Sequence, residues 1–174
     1  AAAAPASRAW RERLGAIAQD IARWPTKSAE LPDVVRALAA QRQGEVIVCL
    51  DAGSFAAPVY RHFRFVARER MLAPISGAMG YGTPAAIAAQ LRRPAAKVVC
   101  LCGDGGFMMT GGEMIAAVER QLPILFIVVD NRAYGSIWLH QERHHPGRHV
   151  GTRLTSPDFA RIAAAFGMAA ETVS

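Results

Sequence analysis

Three short apolar runs punctuate the chain: "EVIVCL" at 45–50, "KVVCLC" at 97–102 and "PILFIVV" at 123–129. Each is too short for a buried helix and rich in β-branched residues, and each is apolar at consecutive positions. That pattern predicts parallel strands covered on both faces. Between and around them the period changes to that of amphipathic helices. "RAWRERLGAIAQDIARW" and "LPDVVRALAAQ" precede the first run; "TPAAIAAQLRR" (83–93) and "TGGEMIAAVERQ" (110–121) follow later. "SPDFARIAAAFG" (156–167) closes the series. Thr83 with Pro84, and Ser156 with Pro157, have the cap-then-proline signature of helix starts, and Gly167 that of a stop. This alternation predicts an α/β fold of three α/β/α layers with a mainly parallel central sheet.

In such sheets ligands gather beyond the carboxyl ends of the strands. Here those ends read "DAGS", "GDGG" and "DNRAYG", so three polar, glycine-bearing tips are expected to line one crevice.

Composition narrows the partners. The 174 residues, 52% hydrophobic, suffice for one domain with a core. Residues 1–30 read as a small-residue lead-in and helix, and 31–174 as the domain. No apolar stretch reaches the ~18 residues of a membrane span, and a basic signal-peptide start is missing, so a cytoplasmic protein without membrane contact is expected. The net charge of +6 suits an anionic partner. The arginines are scattered and carry no aromatic-interleaved face, which argues against nucleic acid. Cys49, Cys100 and Cys102 all sit inside apolar runs and read as buried, inert thiols.

The chemistry is concentrated between Gly103 and Asn131. Asn131 follows Asp104 by 27 positions, the length of a strand–helix–strand crossover that sets two strand ends side by side. A carboxylate and an amide oxygen are hard donors suited to Mg²⁺. Gly103, Gly105 and Gly106 allow close backbone approach and aim N–H groups at an anion. Either half alone is an ordinary turn; together they describe a magnesium diphosphate clamp. A dinucleotide site is excluded, because Met108 stands where G-x-G-x-x-G needs its third glycine.

"GDGGFMMTGGEMIAAVERQLPILFIVVDN" resembles the thiamine diphosphate motif of the acetolactate synthase-like enzymes. "ISGAMGYGTPAAIAAQL" (75–91), "NRAYGSIWLHQERHHPGR" and "LTSPDFARIAAAFG" resemble the segments around it, in the same order. The resemblance covers nearly all of the chain from Leu31, as the diphosphate-binding domain of a longer polypeptide. It implies thiamine diphosphate and Mg²⁺ as cofactors. Asp104, Asn131 and the Ala133 carbonyl would be the metal ligands. Gly105 and Gly106 would meet the diphosphate beside Gly103, with Gly53, Ser54 and Phe55 on its other side and Tyr134 and Gly135 nearby. The Gly77 carbonyl and the Met79 N–H would hold the aminopyrimidine, and the Met79 side chain would wedge the cofactor into a V. The implied reaction decarboxylates a 2-oxo acid and transfers the resulting carbanion.

The chain departs from that family at several positions. Ser54-Phe55 stands where many relatives carry Gln-His, Asp130 replaces the first of two asparagines, and His140 aligns with an acceptor-selecting tryptophan. His140 is therefore a candidate for the substrate pocket, while His144, His145 and His149 read as a solvated basic loop. The activating glutamate belongs to a pyrimidine-binding domain, which no segment here resembles; Glu113 reads as structural. A homodimer or homotetramer, with that domain in the same polypeptide or on a partner subunit, is implied, and so is inactivity of this chain alone. The alternative is a non-catalytic domain that keeps the fold for assembly or regulation.

Overall fold

The structure, a computed structural model, describes residues 30–40 and 44–172. The helix expected in "RAWRERLGAIAQDIARW" lies outside them. The described residues fall into two compact units, 30–40 with 57–64 and 44–56 with 65–172. In the first, helix α1 (Glu30–Ala40) packs on α2 (Ala57–His62). Val35, Val59 and Phe63 are buried there, so the apolar face expected of "LPDVVRALAAQ" finds a partner.

The second unit is the sheet. Strands β1 (Val46–Leu50), β2 (Arg70–Leu72), β3 (Lys97–Gly103) and β4 (Ile124–Val129) stand in the order β2-β1-β3-β4. All pairings are parallel, with Cys49 opposite Cys100 and Cys100 opposite Phe126. One face forms a core from Ile47, Cys49, Val98, Cys100 and Cys102, packed against Ala86 and Ala89 of α3 (Gly82–Arg92). Phe107, Met114 and Ala117, from α4 (Asp104–Thr110) and α5 (Met114–Glu119), complete it. Phe159 of α7 (Phe159–Ala165) meets Phe107 edge to face at 5.3 Å. Val46, Val48, Leu50 and Leu101 on the opposite face are buried as well. The sheet is thus covered on both sides in a three-layer α/β/α arrangement.

The three cysteines are free and buried, as expected. Burial pushes the Cys49 thiol up to about 12. Hydrogen bonding with Cys102, then burial, raises Cys100 further. At neutral pH Cys49 and Cys100 stay protonated and inert.

Several local expectations need correction. β4 is an edge strand, with Leu125 49% exposed, so its apolar run is only half covered. β2 is three residues long and leaves no periodic signal. Thr83 is not a cap: α3 starts at Gly82, and Thr83 is 1% exposed inside its first turn. The helix expected over 110–121 begins instead at Asp104, directly from β3, and is broken by a 3₁₀ turn at Gly111–Glu113. The cap of α7 is Asp158, which accepts from the Arg161 N–H at 3.0 Å. Gly167 does end that helix, in the left-handed conformation at φ +87°. Lastly α6 (Gly135–His144) buries none of its residues, which is why no apolar stripe announces it.

Candidate functional site

Chain order moves from β1 outward to β2 and then back across to β3, so the sheet reverses between β1 and β3. A crevice opens outside the carboxyl ends at such a switch point, and the three polar tips meet there. After β1 the chain turns through Ala52 and Gly53 into a 3₁₀ turn at Ser54–Ala56. After β3, Gly103 is still extended (φ −81°, ψ 161°) and Asp104 is the first residue of α4. After β4, Asp130 and Asn131 each bond forward to the backbone, Asp130 Oδ1 accepting from Arg132 N–H at 3.1 Å and Asn131 Oδ1 from Ala133 N–H at 3.0 Å. Arg132 takes left-handed φ +54° to make this turn. The loop is pinned to residues 152–154 by Tyr134 N–H to the Thr152 carbonyl and Leu154 N–H to the Arg132 carbonyl, each 2.8 Å.

One open cleft, with about 460 Å³ of empty space, results. Gly53, Ser54, Phe55, Met79, Gly103, Asp104, Gly105, Gly106, Asn131, Ala133, Tyr134 and Gly135 all line it. Most residues singled out from the sequence are therefore brought together. Ala52, Val129, Ser136 and Ile137 also line it and carried no sequence signal. Gly77 and His140 stand outside the lining. Gly77 is exposed in a left-handed turn at φ +70°, and exposed His140 lies parallel to His144 with ring centroids 6.5 Å apart.

Close packing explains the glycines. A Cβ on Gly105 would come within 2.6 Å of the Tyr134 ring and 3.1 Å of Met79 Cε. One on Gly106 would lie 2.8 Å from Asp51 Oδ1. The Phe55 ring covers Gly53 and Gly103, 2.5 Å and 3.1 Å from their would-be Cβ atoms.

Two carboxylates organise the site from below. Asp104, 3% exposed, accepts the Gly105 N–H on Oδ1 at 2.9 Å and the Ser156 hydroxyl on Oδ2 at 3.0 Å. Ser156, expected to cap α7, is instead spent on Asp104. Asp51, 2% exposed, accepts N–H groups of Ala52 (2.7 Å), Gly80 (2.9 Å) and Gly82 (2.8 Å). A buried carboxylate satisfied this fully by backbone donors holds the surrounding loops rather than reacting. Sequence reasoning noted "DAGS" only as a strand end; an acid immediately after five buried apolar positions was the missed signal.

The donor set fits a hard cation. Among the described residues no group of three or more His, Cys, Asp or Glu forms a metal site. A cation in this cleft would depend on one carboxylate with amide and carbonyl oxygens, a combination suited to Mg²⁺ rather than Zn²⁺. Asp104, Asn131 and Ala133, facing one space, provide that combination.

Beside the cleft, α6 carries a buttressed loop. Gln141 bonds Val150 in both directions, at 3.0 and 2.8 Å, and the His149 ring stacks on Trp138 at 4.7 Å. The Gly147 N–H, 3.0 Å from Glu142 Oε2, lowers the Glu142 carboxyl; burial opposes this and His149, 2.6 Å away, reinforces it. A carboxyl lowered in the fold stabilises above its unfolded value, ~4.3, and loses that contribution as pH falls through the lower folded value. With Trp10 and Trp24 replaced by Phe, Trp138 fluorescence is expected to hold steady at neutral pH and change only as pH falls below the ordinary carboxylate range. Glu142→Gln should remove that step. A step that survives it would assign the transition elsewhere.

The wider comparisons agree with this geometry. The family model described as thiamine pyrophosphate enzyme, C-terminal TPP binding domain, matches residues 51–174. Acetolactate synthase isozyme 2 large subunit of Escherichia coli (strain K12) is 32% identical over 146 residues, 83% of this chain and 27% of that protein. Acetolactate synthase large subunit of Pyropia yezoensis is 30% identical over 169 residues, covering 95% of this chain and 29% of its own length. The chain therefore spans under a third of these relatives. A Rhodococcus jostii RHA1 thiamine diphosphate-dependent 4-hydroxybenzoylformate decarboxylase shares the fold, with a TM-score of 0.73 at 22% identity over 83% of this chain and 27% of that one. Among the described residues no helix is long and apolar enough to cross a membrane. With the matched region opening at Asp51 and running through all the strand tips that line the cleft, the chain belongs to the thiamine pyrophosphate enzymes, as the C-terminal TPP-binding domain of an acetolactate synthase-like member.

Proposed function

We propose that this domain, residues 31–174, holds thiamine diphosphate through Mg²⁺ in the cleft above β1, β3 and β4. The observation that carries the reading is the convergence of Asp104, Asn131 and Ala133 with Gly105 and Gly106 on one space. Asp104 and Asn131 side-chain oxygens and the Ala133 carbonyl would ligate the metal. Ser156 would keep the Asp104 carboxylate oriented through its 3.0 Å bond. Gly103, Gly105 and Gly106 would admit the diphosphate against the start of α4, with Gly53, Ser54 and Phe55 opposite and Tyr134 and Gly135 flanking it. Bound thiamine diphosphate supplies the nucleophilic carbon and electron sink for decarboxylating a 2-oxo acid.

The residues of this chain bind, orient and exclude water. Met79 projects into the cleft over Gly105 and would wedge between the two rings. Phe55 replaces polar contact to the diphosphate by apolar cover on Gly53 and Gly103. Gly77 and His140, outside the cleft lining, would act only where a second protein surface closes the site, Gly77 toward the pyrimidine and His140 toward substrate. That surface is a pyrimidine-binding domain carrying the activating glutamate, in the same polypeptide or a partner subunit of a homodimer or homotetramer. The intact assembly would be a transferase or lyase that passes the decarboxylated fragment to an acceptor, working in the cytoplasm without nucleic acid or membrane. This chain alone would bind cofactor weakly and turn over little.

A thermal shift separates this from a scaffold that keeps the fold for assembly. Mg²⁺ with thiamine diphosphate is expected to raise Tm by a few degrees, as binding to the folded state must, while Mg²⁺ with thiamine is not. No rise at millimolar ligand would favour the scaffold.

A further inference from the structure

The turn that brings Met79 into the cleft is bare on its approach side, where Ile75, Ser76, Gly77 and Ala78 are all exposed. Its hydrogen bonds to β1 and α4 run through the residues just after Met79. The Gly80 N–H donates to Asp51 Oδ1 at 2.9 Å, and the Gly80 carbonyl accepts from the Thr110 hydroxyl at 2.9 Å. Gly82 N–H then donates to Asp51 Oδ2 at 2.8 Å. Gly80 is left-handed at φ +86°, and a Cβ there would lie 3.1 Å from Thr110 Cγ2 and 3.3 Å from Met109 Cβ. The glycine thus allows the peptide to sit directly against the end of α4. Asp51 cannot swing aside, being buried and also bonded to Ala52 N–H at 2.7 Å.

We infer that Asp51 and Thr110 are positioning residues that grip Gly80 through its N–H and its carbonyl and thereby fix where Met79 stands over Gly105. Neither lines the cleft, so neither touches the cofactor. Their influence passes through the two peptide planes that meet at the Gly80 Cα. Losing either bond leaves a polar backbone group of Gly80 unpaired, and the adjacent Met79 gains freedom. The diphosphate floor is built separately. Gly105 and Gly106 sit in the first turn of α4, at the opposite end of that helix from Thr110. The inference rests on the cofactor reading above and deepens it, by separating what holds the ring system from what holds the diphosphate.

Thr110→Val keeps the shape of the side chain and removes the hydroxyl; Thr110→Ser keeps the hydroxyl. In the 174-residue chain with Mg²⁺, calorimetry on Thr110→Val is expected to show thiamine diphosphate affinity falling about ten-fold. Affinity for inorganic pyrophosphate should stay at the wild-type value, and Thr110→Ser should restore thiamine diphosphate binding. Hydrogen exchange without any ligand should quicken over residues 77–82 in Thr110→Val and stay unchanged over 97–106. Unchanged thiamine diphosphate affinity would overturn the inference, as would an equal loss for both ligands. Wild-type chain that binds pyrophosphate but discriminates against thiamine diphosphate would defeat the cofactor reading instead, leaving the exchange experiment to judge the Gly80 clamp.

Discussion

Asp104→Ala is expected to abolish Mg²⁺-dependent binding of thiamine diphosphate, a loss of at least about 100-fold by calorimetry. Asp104 is the sole carboxylate among the three proposed ligands, so its removal takes away the only full negative charge facing the cation. Asp104→Asn keeps an oxygen and a similar shape but not the charge, and should fall between wild type and alanine. Ser156→Ala provides the control for orientation. It removes the 3.0 Å bond to Oδ2 while leaving the carboxylate in place, and should cost about ten-fold or less. Unchanged affinity in Asp104→Ala would remove the metal clamp from this cleft. The far-ultraviolet spectrum without Mg²⁺ checks that the variant remains folded.

Gly106→Ala should be strongly destabilising for the addition of a single methyl group. The added carbon would lie 2.8 Å from Asp51 Oδ1 and 3.0 Å from Asp51 Cγ. Most such clashes are relieved by a side chain moving away, but Asp51 is held by three backbone N–H groups. Relief therefore means breaking bonds to a buried charge or shifting α4 off β3. A cost of about 2–3 kcal/mol is expected, seen as a fall of about 1 M in the urea midpoint. Two neighbours calibrate it. Gly105→Ala meets only the Tyr134 ring and the tip of Met79, both able to yield, so it should spare stability and harm binding. Gly112→Ala meets nothing within 4 Å and should be near neutral. If Gly106→Ala matched Gly112→Ala, the buried Asp51 network would be far softer than its geometry implies.

The two experiments address different layers of one design. Asp104 lines the cleft, whereas Asp51 does not. Both carboxylates follow apolar parallel strands at adjacent positions in the sheet, yet one is paired by a single backbone N–H and a hydroxyl while the other is saturated by the backbone. An acid saturated by fixed donors serves as a rivet. The acid that lines the cleft is the one proposed to meet a cation.

Much of this was legible without coordinates because it is carried by local chemistry. The continuous apolar runs specify parallel strands, since both faces of such a strand must be buried. The glycine-acid-glycine tip and the asparagine 27 positions later imply two oxygen donors at adjacent strand ends, and both residues line the cleft. Burial of the cysteines follows from their place inside the strands. These inferences need only the period of the side chains and the donor character of oxygen.

Other features depend on groups far apart in the chain, and no local pattern announces them. Thr83 looks like a cap, but the start of α3 is served by Asp51, 31 residues earlier; Ser156 looks like one too, but its hydroxyl belongs to Asp104, 52 residues away. Propensity ranks what a residue does for its neighbours, and here each partner is delivered by the fold. Similarly, α6 gains its order from Gln141 and Glu142 bonding a returning loop, not from a buried stripe. The three apolar strands and the meeting of Asp104 with Asn131 at their ends are properties of the chain's own letters. That Asp51 braces the loops while Asp104 lines the cleft, and where Met79 comes to stand, were settled when parallel strands brought distant backbone N–H groups within 3 Å of one carboxylate and left the other at the cleft.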